Sequence, residues 1–336
     1  MNTGEGVMGR PLRMYEDGSY YFVTARCFQS RLLLRPSALL NEVIGGVLAR
    51  ATKEAKVEVC GFVAASSHVH LLCRAQDGEL SKFMKYFLGN VSKKVGRLVD
   101  WPCKLWERRF SAEPVLDKAA LEGRLKYILA HGVKEGLVRS VADWPGLSCV
   151  SQLLGESKRT FRFFAWAKRW QSGKLLEDGH RPWSPLWATD EVLELHPLEH
   201  WKNWSQEKRR ARVLELIAEV EEEGRAQHPR VAGVEKVVGA HPHTRPLKPD
   251  RRPRPMCHAS TKLARDEYKE TYRNFVSRFR AAVECLRTLG VSKEVKFPPF
   301  AFVPFLAAGA GALRKVTDTF TGTNGVGAGA AHSPAG

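Results

Sequence analysis

Residues 57–75 read Val-Glu-Val-Cys-Gly-Phe-Val-Ala-Ala-Ser-Ser-His-Val-His-Leu-Leu-Cys-Arg-Ala. Two apolar, β-branched runs flank Ser66-Ser67, which can turn the chain. The stretch therefore reads as a hairpin of strands 57–65 and 68–75. Alternate side chains of a strand share a face, so His68 and His70 project side by side while Val69 packs behind. Two neighbouring imidazoles are a natural seat for a divalent metal. A His-x-His triplet alone arises often by chance, so its meaning depends on what the chain sets around it.

Upstream, the aromatic and β-branched run 18–26 reads as a strand. Pro36-Ser37 opens a helix to about residue 54, with Leu39, Leu40, Val43, Ile44, Val47 and Leu48 at helical spacing. Downstream, a helix over 80–99 is broken by Trp101-Pro102, a short strand covers 109–116, and a helix over 118–131 is stopped by Gly132. The order β-α-β-β-α-β-α predicts an α+β fold of the ferredoxin-like, split βαβ kind, an antiparallel sheet with helices on one face.

On that last helix Tyr127 and His131 stand at i and i+4 and share a face. Leu121, Leu125, Ile128 and Leu129 supply its core side, which leaves Tyr127 free to face elsewhere. Residues 127–138 read Tyr-Ile-Leu-Ala-His-Gly-Val-Lys-Glu-Gly-Leu-Val. Together with His68-Val69-His70, this resembles the single-tyrosine HUH endonucleases, and among them the REP-associated tyrosine transposases of the IS200-like group. Their tyrosine lies in a stretch like Y-I-x-x-N-P-V-R-A-G-L-V. Trp106-Glu107-Arg108-Arg109-Phe110 is similar to the family's W-x-x-R-F, and Asp143-Trp144-Pro145 to its D-Y-P-W. The resemblance covers roughly residues 10–150. It departs at Ser66-Ser67, where the family has Pro-Asn, at His131, where it has Asn or Gln, and at Gly132, where it has Pro.

The resemblance implies a metal-dependent single-stranded DNA endonuclease and strand transferase. His68, His70 and His131 would hold a divalent ion, Mg²⁺ or Mn²⁺, and Tyr127 would attack the scissile phosphate to give a 5′-phosphotyrosine. Histidine at position 131 suits Mn²⁺, Co²⁺ or Ni²⁺ better than Mg²⁺. The expected partner is single-stranded or hairpin DNA, bound by a monomer or homodimer. Two alternatives stay open. One is an HUH replication initiator or relaxase, which often pairs two tyrosines, whereas Tyr86 is too isolated to serve as a second here. The other is a non-enzymatic, domesticated hairpin-binding protein on the same fold.

Composition agrees with a polyanionic partner. The 336 residues carry 53 Lys and Arg against 36 Asp and Glu, a net charge of +17. Each phosphate neutralised by such cations releases condensed counterions, which favours nucleic acid over an anionic membrane surface or a ribosome. Lys93, Lys94, Arg97, Arg108 and Arg109 are the candidate phosphate contacts in the catalytic half. Arg251 and Arg252 are the candidates in a basic, proline-rich linker over 242–255. Seven scattered cysteines without a C-x-x-C predict free thiols in a reducing compartment. No signal-peptide core or membrane-length apolar run is seen, so a cytoplasmic, nucleoid-associated protein is expected.

Beyond residue 150 the character changes. Residues 144–204 hold seven of the nine tryptophans. The run 161–170, Phe-Arg-Phe-Phe-Ala-Trp-Ala-Lys-Arg-Trp, suits either stacking on bases or a local core. Ser205 caps a helix to Gly224, and a further helix spans 262–289. The expected division is thus an HUH-type domain over 10–150, a mainly helical, basic and aromatic extension over 151–306, and a Gly/Ala-rich disordered tail over 307–336.

Overall fold

The computed structural model describes residues 11–76, 78–167, 183–247, 254–289 and 295–301. The chain forms two compact units, Tyr15–Glu270 and a smaller one of Met1–Met14 with Thr271–Gly336. In the smaller unit Phe275 is buried and stacks on Tyr272, whose hydroxyl donates to the Leu12 carbonyl at 3.0 Å.

The larger unit is built on four strands, β1 (Tyr20–Arg26), β2 (Val57–Ala65), β3 (His68–Ala75) and β4 (Ser111–Val115). They lie in the order β2-β3-β1-β4, every neighbouring pair antiparallel. With β1 and β3 central and α1 (Ala38–Glu54) and α2 (Leu80–Leu98) as the connections, this is the ferredoxin-like α+β arrangement. Ser37 starts α1 by accepting a hydrogen bond from the Leu40 amide at 3.2 Å, and Asp117 starts α3 (Lys118–Leu129) through the Ala120 amide at 2.8 Å.

Nearly every residue of β1, β2 and β3 is buried, so both faces of the sheet are covered. Helix α3 lies on the face that carries His68 and His70. It sits close because Gly61, at a bulge in β2, offers no side chain: a Cβ there would stand 3.0 Å from Leu125 Cδ1 and 3.4 Å from Ile128 Cδ1.

Three elements differ from the sequence expectation. Strand β4 is shorter than 109–116, leaving Arg109 outside it. Gly132 does not stop the third helix. The chain continues through Ala130 into one more turn, α4 (His131–Lys134), before Gly136 reverses it at φ +64°. Gly132 is instead a packing glycine, since a Cβ would lie 2.8 Å from both Trp144 and Val138. Third, the extension contains a two-stranded antiparallel sheet, β5 (Lys158–Phe164) and β6 (Ala188–Glu194), besides its helices. Phe161, Phe163 and Phe164 are buried, and the Phe161 ring occupies the space a side chain at Gly45 of α1 would need. These aromatics are core, not a base-stacking surface, while Trp170 lies outside the described residues.

Ser205 caps α6 (Gln206–Gln227), which follows the short α5 (Val150–Leu154). One hydrophobic core runs from Tyr20 to Leu216. The shift in composition near residue 150 therefore has no matching break in the packing. All seven cysteines are free and five are buried. Among the described residues no helix is long and apolar enough to cross a membrane. The tail 307–336 lies outside the described residues, as do Arg251 and Arg252.

Candidate functional site

The register of β1 against β3 sets Thr24 opposite His70 and Arg26 opposite His68. Each histidine is held from behind by a hydroxyl. Thr24 Oγ1 lies 2.9 Å from His70 Nδ1, and Ser67 Oγ lies 3.0 Å from His68 Nδ1. With the Nδ1 protons donated to these hydroxyls, both Nε2 atoms keep their lone pairs, the usual support for a metal-binding imidazole.

One turn past Tyr127, with helical hydrogen bonds continuing through Ala130, His131 meets the strand. Its Nε2 stands 2.7 Å from His68 Nε2, and the three histidines bring ligand atoms within 4.8 Å of one another. The Tyr127 ring lies 5.3 Å from the His70 ring and 5.7 Å from Phe22, edge-on to both. Phe22 in turn stacks on His70 at 5.0 Å. One strand and two turns of helix thus gather His68, His70, His131 and Tyr127, all foreseen from the sequence.

Burial dominates the electrostatics. It holds the pKa of His68 and His70 well below the ordinary histidine value, with His131 as the next contributor, and that of His131 at about 4. All three imidazoles are therefore neutral at physiological pH, the state a metal ligand requires. His70 Nε2 and His131 Nδ1 are buried without a hydrogen-bond partner. A buried acceptor left open at the centre of three neutral imidazoles fits a divalent ion of the first transition row. Burial also raises the Tyr127 pKa, with Glu135 adding to it and Arg124 and Arg26 opposing.

The candidate DNA contacts divide. Lys93, Arg97, Arg108 and Arg109 are exposed. Lys94 is not available to DNA. It is only 3% exposed, donates to the Phe164 carbonyl, and lies 4.3 Å over the Trp166 ring. Burial brings its pKa down to about 8. The cations the structure sets against the His–Tyr cluster are others. Arg124 lies 5.2 Å and Lys134 4.5 Å from the centre of the Tyr127 ring, and Arg26 acts on all three histidines. They carried a readable signal, since 124, 127, 131 and 134 follow i, i+3, i+7 and i+10 on one helical face. His258 was also missed. It packs edge-on against Phe22 at 5.5 Å, and burial lowers its pKa to about 4.

No protein-family model and no curated protein matches this chain. Among solved structures it is similar to a REP-associated tyrosine transposase bound to a REP hairpin, at 18% identity and a TM-score of 0.39, over 44% of this chain and 87% of that one. It is also similar to a protein of Deinococcus radiodurans R1 assigned as a transposase, at 16% identity and a TM-score of 0.27, over 38% of this chain and 95% of that one. Both likenesses are distant.

Proposed function

We propose that this chain nicks and rejoins single-stranded DNA through a covalent bond to Tyr127, in the manner of a single-tyrosine transposase. One observation carries the reading: a half-buried tyrosine stands against a cluster of three neutral histidines, its ring 5.3 Å from that of His70. A structural tyrosine would not need three uncharged imidazoles converging beside it.

His68, His70 and His131 would hold the divalent ion, Mn²⁺ in preference to Mg²⁺ given three nitrogen donors. Bound there, the ion supplies Lewis-acid stabilisation of charge on the scissile phosphate. Thr24 and Ser67 orient His70 and His68. Phe22 walls one side of the site and excludes water. The Tyr127 oxygen forms a bond to phosphorus as the bond to the 3′-oxygen breaks. The phenol proton passes to solvent, and the departing 3′-oxygen takes one up. The product is a 5′-phosphotyrosine diester that the 3′-hydroxyl of a second strand end can resolve, so joining needs no nucleotide cofactor. Exposed Lys93, Arg97, Arg108 and Arg109, together with Arg251 and Arg252, are the proposed hairpin contacts.

The test is a denaturing gel. Protein and labelled single-stranded hairpin DNA are incubated with Mn²⁺ or Mg²⁺. A metal-dependent shifted band, lost in Tyr127→Phe, is the expected result. Retained DNA binding without an adduct from any hairpin would replace the nicking enzyme by a hairpin-binding protein.

A further inference from the structure

Arg124, Tyr127 and Lys134 line a groove of about 280 Å³ whose opposite wall is α6, through Val220, Glu223, Gly224 and Gln227. Two cations flank the tyrosine along this groove. Arg124 is half-buried against the Phe22 and Tyr127 rings, and Lys134 is exposed. Neither makes a salt bridge among the described residues. The nearest acid of the groove wall, Glu223, is already held by Lys126 at 2.8 Å, which also holds Glu219 at 2.7 Å. Arg124 has the buried Glu113 acting on it electrostatically but no salt bridge, and an anion arriving from outside offsets the remaining cost of burying the guanidinium.

We propose that this groove seats the backbone of the cleaved strand, with Arg124 and Lys134 binding phosphates on either side of the one joined to Tyr127. Their charged groups stand 5.2 Å and 4.5 Å from the centre of the Tyr127 ring, within reach of the phosphates that neighbour the joined one. Single-stranded DNA is the occupant, because the groove follows a line of cations past the Tyr127 ring. The wall from α6 gives the extension a direct part in holding the strand. This assignment rests on Tyr127 as the nucleophile, and its test must be able to fail separately.

The measurement is the salt dependence of hairpin DNA binding by fluorescence anisotropy, without metal, so that no cleavage intervenes. For Lys134→Ala and for Arg124→Ala the slope of log affinity against log salt should become shallower by about 0.7 each, the release expected for one phosphate of a single strand. Arg124→Lys should restore it. Thermal unfolding checks that Arg124→Ala still folds, and Lys134→Ala, at an exposed position, carries the test alone if it does not. Slopes equal to wild type in both variants would overturn the groove. A wild-type adduct with unchanged slopes removes the groove and keeps the nicking chemistry. Reduced slopes without any adduct keep the groove and remove the chemistry.

Discussion

His68 Nε2 and His131 Nε2 face each other at 2.7 Å, although 63 residues separate them in the chain. Between two neutral imidazoles one proton bridges that gap, and a divalent ion held by His68 and His131 would take its place. His131→Asn puts a harder oxygen donor in place of the imidazole nitrogen. The variant should lose Mn²⁺ affinity by about 10-fold or more and bind Mg²⁺ relatively better. Isothermal titration with each ion checks this, and an unchanged preference would place the ion elsewhere.

Tyr127→Phe removes only a hydroxyl from a ring whose contacts to Phe22 and His70 are made by its edges and faces. The variant should fold with a stability change within about 0.5 kcal/mol and bind hairpin DNA as wild type does, while forming no adduct. Chemical denaturation, anisotropy and the denaturing gel report on the three separately. Loss of binding along with the adduct would mean that the hydroxyl holds DNA instead of attacking it.

Lys94 predicts a pH dependence of stability. Its pKa of about 8 in the folded chain lies below the ordinary lysine value because burial penalises the charge. Between pH 8 and the unfolded value of about 10.4 the unfolded chain holds the additional proton, so stability rises with pH across that window. The gain is up to about 3 kcal/mol for a shift of this size, and it is absent below pH 8, where both states are protonated. Urea unfolding at pH 7.5 and pH 10 should show the rise in wild type and a flatter response in Lys94→Met. Lys94→Met should also leave the salt slope of DNA binding unchanged, unlike Lys93→Ala.

Gly132→Ala should destabilise the larger unit by about 1–3 kcal/mol, because the new methyl meets Trp144 and Val138 at 2.8 Å in a filled core. Gly61→Ala should cost less, since the Leu125 methyl at 3.0 Å is the movable end of a side chain. Denaturant midpoints rank the two, and the reverse order would contradict the close seating of α4.

The strand and helix order was legible because each element carries its own periodicity and cap, from Ser37 at α1 to Ser205 at α6. The paired histidines were legible because a strand's alternation needs no tertiary knowledge. Lys94 was misread for the opposite reason. A lysine on an amphipathic helix counts as outward, and only Phe164, 70 residues away, supplies the carbonyl that draws it inward. The β5–β6 sheet was hidden because aromatic composition masked the short alternation of Phe161 and Phe163 with Arg162 between them. Gly132 carries the same letter for a helix stop as for a tight packing contact, and only Trp144 distinguishes them. The supports at Thr24 and Ser67 depend on strand register, which a single sequence leaves unwritten.

Val133, two residues past His131, packs where α6 carries Gly224, in space that any larger residue at 224 would fill. Lys126, beside the tyrosine, is tethered to the same helix through Glu219 and Glu223. The extension therefore behaves as a splint on the turn that carries Tyr127 and His131. Grafting a foreign segment after residue 150 would remove that splint along with part of the core. A segment exchanged after residue 150 would have to reproduce the glycine at 224 and the acids at 219 and 223 to keep the turn around Tyr127 seated.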